Sequence, residues 1–147
     1  MRLTTKCRYG TRAMVEMGLA YGKGSMQLSQ IAENQDISPK YLVHLLASLK
    51  AAGLVKTVRG ARGGYLLDKP PSDIKLIEIF RVLEGSTSPV ECVDDPKTCP
   101  RSELCVTRGV WARIRDAMNE VLESTTLQDL IVERKQKEEA RKEMYYI

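Results

Sequence analysis

The chain has 147 residues, of which 43% are apolar and 29% are charged, an ordinary balance for a globular protein. This composition excludes wholesale disorder, and no apolar run approaches the ~20 residues that cross a bilayer. The first ten residues, MRLTTKCRYG, lack the apolar core of a signal peptide. The sequence therefore predicts a cytoplasmic protein, in a compartment where disulfides seldom persist.

The net charge of +4 conceals an asymmetry between the two halves of the chain. Residues 1–67 hold ten Lys and Arg against three Asp and Glu, whereas residues 68–147 hold thirteen against sixteen. A basic half joined to a mildly acidic half favours a module that faces a polyanion. The alternative is two ordinarily solvated surfaces.

Three helices are predicted in the first third of the chain. Apolar residues recur at helical spacing over 9–21, until Gly22 ends the pattern. Two short helices follow, over 28–35 and from Pro39 to about Ala52. Ser38 suits the N-cap of the second of these because its hydroxyl can accept a hydrogen bond from a first-turn amide, and Pro39 fits the first helical position.

A β-hairpin is predicted after Gly53, where the hydrophobic period changes. LVKTV and YLLDKP are typical of two strands, and RGARGG between them is a glycine-rich tip. Two helices joined by a tight turn and followed by such a hairpin form a winged helix-turn-helix. The sequence therefore predicts a mainly α fold with a winged helix-turn-helix DNA-binding domain over residues 1–69.

Two further regions are predicted in the C-terminal half. Residues 70–105 would form a linking helix at 74–83 and a cysteine-rich loop, and residues 106–147 a long helix over 106–124, then a helical tail capped by Thr126. The long helix has an apolar stripe, formed by Val110, Trp111, Ile114, Ala117, Met118, Val121 and Leu122. This stripe either packs on its own domain or joins two subunits.

The dimer interpretation is favoured because the helix-turn-helix domain is complete without the long C-terminal helix. A two-fold dimer places two recognition helices at the ~34 Å spacing of adjacent major-groove half-sites. The expected partners are therefore a second copy of the chain and double-stranded DNA with a palindromic operator.

The candidate DNA-contacting residues lie at the start of the predicted recognition helix, at the hairpin tip and at the N-terminus. They are Arg2, Ser38, Pro39, Lys40, Tyr41, His44, Arg59 and Arg62. Lys40 suits a phosphate or a guanine edge, and arginines among glycines suit a minor groove or phosphates. Lys6, Arg8 and Arg12 add positive charge to the first helix. The single histidine, His44, is either a DNA contact or a surface residue, and the alternative for the tip is a hairpin with incidental charges.

Three of the four cysteines lie close together, with the spacing Cys92-x6-Cys99-x5-Cys105. No C-x2-C pair indicates a structural zinc site or a thioredoxin-like redox pair, and the one histidine is in the predicted recognition helix, away from any cysteine nucleophile. Three soft thiolates in an irregular loop suit an iron–sulfur cluster. A zinc site and unliganded loop cysteines remain open on spacing alone.

The segments MRLTTKCRYGTRAM, LVKTVRGARGGYLL and IFRVLEG resemble those of the IscR-type winged-helix regulators. The resemblance covers nearly the whole chain and implies a homodimeric bacterial transcription factor, not an enzyme. It also implies a cluster, with [2Fe–2S] as the expectation and [4Fe–4S] as the alternative, held by Cys92, Cys99 and Cys105. EGSTSPVE, VLESTTLQDL and the MYYI ending resemble the CymR-type repressors of cysteine metabolism, which lack the cysteine loop.

The sequence departs from the IscR-type pattern at the fourth ligand. Arg108 stands where a histidine is usual, and Arg8 stands where nitric-oxide-sensing relatives carry a carboxylate. Cys7 is therefore the hypothesised fourth ligand, from the same or the partner subunit; the alternative is a small buried residue. Further candidates are Glu91, Asp94, Asp95 and Glu103. Val43 replaces an acidic base-reading residue, so operator specificity would differ.

The expected function is repression of cluster-assembly or sulfur-metabolism genes by the cluster-bound dimer. Closing the loop on a cluster would order it and fix the spacing of the DNA-binding domains, and cluster loss would shift that equilibrium. The alternative is a CymR-like repressor that needs no cluster and responds to a partner protein or to thiol oxidation. A small electron carrier would not need the helix-turn-helix.

Overall fold

The computed structural model describes residues 1–146, and the predicted mainly α winged-helix fold is confirmed within them. The elements are α1 (Thr5–Leu19), α2 (Leu28–Gln35), α3 (Pro39–Ala51), β1 (Val55–Val58), β2 (Gly64–Leu67), α4 (Leu76–Leu83), α5 (Glu91–Asp94), α6 (Val106–Ser124) and α7 (Leu127–Tyr145). Single 3-10 turns at Pro71–Asp73 and Pro96–Thr98 precede α4 and follow α5. No helix in this part of the chain is long and apolar enough to span a bilayer.

Capping residues set the limits of the first three helices. The hydroxyl of Thr4 accepts a hydrogen bond from the backbone N–H of Cys7 at 3.2 Å, so α1 begins four residues before the predicted start. Asp36 closes α2 in the left-handed conformation, with φ of 51°. As predicted, Ser38 caps α3, with its Oγ 3.4 Å from the N–H of Tyr41, and Pro39 occupies the first turn.

The wing is an antiparallel hairpin in which Val55 pairs with Leu67 and Val58 pairs with Gly64. The segment before α2 adds a short third edge, because Met26 and Tyr65 exchange two backbone hydrogen bonds of 2.8 and 2.7 Å. A Cβ at Gly64 would lie 2.1 Å from the carbonyl oxygen of Met26. Only glycine therefore allows the two backbones to approach this closely.

The hydrophobic core extends from the helix-turn-helix to the C-terminal helices. Leu122 of α6 and the first turns of α7, through Leu127 and Ile131, join the buried residues of α1 to α4. Gly18 of α1 makes room for α7, since a Cβ there would lie 2.4 Å from Cδ1 of Ile131. The division into residues 1–69, 70–105 and 106–147 stays a prediction, and the core is shared by the first and third of these regions.

The corner between α6 and α7 is attached to the start of α4. Backbone hydrogen bonds join Leu76 N to Thr125 O at 2.9 Å and Leu127 N to Ile74 O at 2.8 Å. Thr126 caps α7 as predicted, in a reciprocal capping box with Asp129. The charged tail continues as helix to Tyr145, and Ile147, the last residue of the predicted tail, lies outside the described residues.

Candidate DNA-binding surface and cysteine loop

Helix α3 divides into a buried face and an exposed face. Its leucines at 42, 45, 46 and 49 are buried in the core, whereas Ser38, Pro39, Lys40 and His44 are exposed. Tyr41 is half-buried, and its ring meets the ring of Tyr9 edge to face at 6.3 Å between centroids. The residues predicted to contact DNA therefore occupy the outer face and first turns of α3, and their contact with DNA stays a prediction.

The wing carries its arginines on an anchored frame. Arg59 and Arg62 are exposed at the hairpin tip. The carbonyl oxygen of Arg62 accepts a hydrogen bond from Ser25 Oγ at 3.0 Å, and Lys50 Nζ of α3 donates to Thr57 Oγ1 of β1 at 3.1 Å. The tip is thus held to the segment before α2, and its first strand is held to α3.

The basic residues near the N-terminus occupy different environments. Arg2 is exposed and lines a cavity of about 380 Å³ beside Phe80 of α4 and Met118 of α6. The guanidinium carbons of Arg8 and Arg12 lie 5.9 and 5.3 Å from the ring centroid of Tyr9. Stacking of this kind holds a cation against an aromatic face, so Tyr9 restricts where these two charges can point.

The three loop cysteines stand on successive short elements. Cys92 lies in α5, Cys99 ends the 3-10 turn and Cys105 precedes the first turn of α6. All three are free thiols and half-buried. Within residues 1–146, no three His, Cys, Asp or Glu side chains are grouped closely enough to hold a metal ion. Their assignment as ligands stays a prediction.

Two arginines of α6 hold the cysteine loop. Arg108 Nε donates to the carbonyl oxygen of Cys92 at 2.8 Å, and Arg115 Nη1 donates to that of Val93 at 3.3 Å. Because the two arginines are two helical turns apart, they lie on one face of α6. Sequence reasoning treated Arg108 as the lack of a histidine and did not identify Arg115. The seven-residue spacing of these arginines on a predicted helix was the available signal.

Hydroxyl groups complete the attachment of the loop. Ser86 and Ser88 donate to the two carboxylate oxygens of Asp94 and, with the nearby charge of Arg115, lower the pKa of that carboxyl. The buried Ser102 donates to the carbonyl oxygens of Pro96 and Cys99 at 2.7 and 2.8 Å. The loop is therefore an ordered structure even without a bound group.

Cys105 has the surroundings of a reactive or ligating thiol. The Thr107 hydroxyl, 3.2 Å from Sγ, lowers its pKa most, followed by the backbone N–H of Arg108 at the start of α6. Hydrogen bonds of this kind favour the thiolate, which is the form that binds metals and attacks electrophiles.

Cys7 has the opposite surroundings. Its side chain is 1% exposed and belongs to the hydrophobic core. Burial, assisted by the negative charge of Glu84, raises the pKa of Cys7 from 9.0 to about 11. A neutral, enclosed thiol is unsuited to ligation, so these observations support the alternative that Cys7 is a core residue.

A winged helix-turn-helix with a polar, exposed recognition helix and an attached sensor-like loop defines the class of DNA-binding transcriptional regulators. A family model, Rrf2, described as an iron-dependent transcriptional regulator, matches residues 3–133. The chain belongs to the Rrf2 family. It is therefore a transcriptional regulator, and the prediction that it is not an enzyme is confirmed.

Both types of regulator that the sequence resembles are found among the relatives. The chain is 45% identical to the HTH-type transcriptional regulator CymR of Bacillus subtilis over 130 residues, 88% of this chain and 89% of the relative. The solved structure of that CymR (YrzC), the global cysteine regulator, matches with a TM-score of 0.75 and 44% identity, over 90% of this chain and 97% of the other. T. potens IscR matches with a TM-score of 0.76 and 40% identity, over 91% and 88%.

Proposed function

We propose that this chain binds a palindromic operator as a homodimer in the bacterial cytoplasm, and that a cluster held by its cysteine loop controls operator affinity. The observation that carries the DNA-binding part is the exposed, polar and basic first turn of α3 beside a buried leucine face. In winged helix-turn-helix proteins this part of the recognition helix contacts base edges in the major groove. The exposed Arg59 and Arg62 then lie in the minor groove or on phosphates.

The proposed dimer forms through the outer face of α6. Leu122 is buried and Met118 packs against the core, whereas Val110, Trp111 and Val121 are 47%, 36% and 62% exposed. The apolar stripe predicted from the sequence therefore divides between an inner face that packs on its own domain and an outer face open to a second copy. A two-fold axis through such a face brings the same residues of both copies together.

The proposed cluster ligands are Cys92, Cys99 and Cys105. Three free, half-buried thiols on an anchored loop, one of them favoured as the thiolate, are a donor set that suits an iron–sulfur cluster. When bound, such a group supplies a reversible redox centre that is lost on oxidation or iron starvation. Cys7, buried and with a raised pKa, is left out of the proposed set. The family description as iron-dependent supports this proposal.

The cluster part is tested on protein purified without oxygen. Visible absorption bands with matched iron and acid-labile sulfide are expected, and the Cys92→Ser/Cys99→Ser/Cys105→Ser variant should lose both. The control is Cys7→Ala, which should keep them. Affinity is then measured, with and without the cluster, for a duplex that the wild-type protein selects from a randomised library. Equal affinities would contradict cluster control of DNA binding.

A second candidate function is a repressor controlled by a protein partner or by thiol oxidation, without a cluster. The 45% identity to CymR favours it over 88% of this chain. Purified protein would then be colourless after attempted reconstitution and would still bind the selected duplex. In that case a change in affinity on treatment with peroxide, reversed by dithiothreitol, separates thiol oxidation from control by a partner protein. The genes of cluster assembly or sulfur metabolism are the proposed targets in both cases.

A further inference from the structure

A buried carboxylate links α1 to the end of α2. The side chain of Glu16 is buried, yet both of its oxygens accept hydrogen bonds: Oε1 from Gln35 Nε2 at 2.6 Å and Oε2 from Asn34 Nδ2 at 3.1 Å. Arg134 of α7 lies 4.0 Å away and contributes positive charge. A buried carboxylate is costly unless hydrogen bonds satisfy it. The sequence retains this cost at the helix-turn-helix, where an apolar residue would also fill space.

Gln35 is held from a second direction by Arg12. Arg12 lies one helical turn before Glu16, on the same face of α1. Its Nε donates to Gln35 Oε1 at 2.8 Å, and a terminal nitrogen of the same guanidinium donates to the backbone carbonyl of Gln35. That carbonyl is one of those left without a helical partner at the end of α2. Both ends of the Gln35 side chain and its backbone are therefore fixed by α1.

The same group of residues reaches the recognition helix by a second route. Gln35 is the last residue of α2 and stands three residues before Ser38, the cap of α3. The Arg12 guanidinium also lies over the ring of Tyr9, which meets Tyr41 of α3 edge to face. Arg12 thus contacts the turn that precedes α3 and, through Tyr9, the first turn of α3 itself.

We propose that Arg12 and Glu16 are positioning residues for DNA recognition, which fix the orientation of α3 by holding Gln35 and do not themselves contact DNA. This inference rests on the proposed DNA-binding function and goes beyond it. It replaces the expectation that Arg12 adds a phosphate contact, because its guanidinium is already committed to Gln35 and Tyr9. A small error in the orientation of α3 weakens base contacts, whereas phosphate contacts tolerate it.

The first test exchanges the two side chains. In Gln35→Glu, two carboxylates would meet where the wild type has a 2.6 Å hydrogen bond, which is repulsive. In the double variant Glu16→Gln/Gln35→Glu, the residue at 16 donates to the one at 35 and Arg12 keeps a carboxylate acceptor, so the network reforms with the bond reversed. The measured quantity is the ratio of affinities for the duplex selected by wild-type protein and for random-sequence duplex of equal length.

We expect Gln35→Glu to lower this specificity ratio by about tenfold or more, and the double variant to restore it to within about threefold, a coupling typical of residues in one hydrogen-bonded network. Melting temperatures are recorded for each. If the ratio stays at the wild-type value in Gln35→Glu, or stays low in a double variant with wild-type melting temperature, the positioning role is overturned.

The second test, Arg12→Lys, remains informative if Gln35→Glu does not fold. Lysine keeps the charge but loses the planar fork that holds two acceptors of Gln35. A positioning role predicts a lower specificity ratio, with unchanged affinity for random duplex and an unchanged salt dependence. A phosphate contact instead predicts equal effects on both duplexes, and that result would overturn the proposal. If the wild-type protein enriches no duplex from the library, the proposed DNA-binding function fails first, and this inference fails with it.

Discussion

The side chain of Arg108, in the first turn of α6, donates a hydrogen bond of 2.8 Å to the backbone carbonyl of Cys92. The bond joins the first cysteine of the loop to the helix that Cys105 precedes. Charge-assisted hydrogen bonds are among the stronger ones in proteins. A change in the loop can therefore be transmitted to α6 through this contact, whether the change comes from a cluster or from oxidation.

The first prediction concerns this anchor. Arg108→Ala should release α5 from α6 and speed hydrogen exchange at the backbone amides of Val93 and Asp95, which close the turns of this segment. The loss of one charge-assisted hydrogen bond corresponds to about 1.5–3 kcal/mol, or roughly tenfold to a hundredfold faster local opening. Arg101→Ala, an exposed arginine of the same loop, is the control and should leave exchange unchanged. Equal exchange in both variants would show that Arg108 does not hold the loop.

The second prediction concerns the DNA-binding surface. Lys40→Ala/Arg59→Ala should abolish detectable binding of the selected duplex while leaving the melting temperature unchanged, because both side chains are exposed. The slope of log affinity against log salt should fall by roughly 2, near 0.9 for each phosphate contact removed. The matched control, Lys135→Ala/Lys142→Ala, removes the same charge from the exposed part of α7. If the two double variants weaken binding equally, the DNA-binding surface is misplaced.

The third prediction concerns close backbone approach in the wing. Gly64→Ala should lower the free energy of unfolding by about 1–3 kcal/mol, because its Cβ would meet the backbone of Met26, which cannot rotate away. In contrast, Gly109→Ala in α6 has open space around the new Cβ and should raise it by about 1 kcal/mol through helix propensity. Urea denaturation measures both values. A stabilised Gly64→Ala protein would show that β2 can move away from Met26.

The fourth prediction concerns alkaline pH. In the folded chain the pKa of Cys7 is raised from 9.0 to about 11 by burial and by Glu84. The folded state therefore holds this proton more tightly than the unfolded state, so its contribution to stability is complete below about pH 9 and is lost as the pH rises towards 11. Cys7→Ala should reduce the loss of stability between these pH values, as measured by urea denaturation at each pH. Cys99→Ala, a half-buried loop cysteine, serves as the control. A pH dependence that stays the same in Cys7→Ala would place the titrating group elsewhere.

Local signals predicted most of the secondary structure. The bounds of Leu28–Gln35 and Val106–Ser124 agree with the prediction, because each helix combines a clear apolar period with a recognisable end. The start of α1 was predicted too late, since its first turn is polar and only the Thr4 cap marks it. Helix α5 was not predicted, because four residues carry too little periodicity to be read.

The sequence by itself determined the winged helix-turn-helix, the hairpin with its arginines and the clustering of three cysteines, since these depend on neighbours along the chain. Only the tertiary structure decided that α6 divides its apolar stripe between two faces, that Arg108 holds Cys92, and that Cys7 is enclosed. The junction of Glu16, Gln35 and Arg12 belongs to the same group. Each of these depends on side chains far apart in sequence, and their burial and partners are set when the helices pack, which no local pattern encodes.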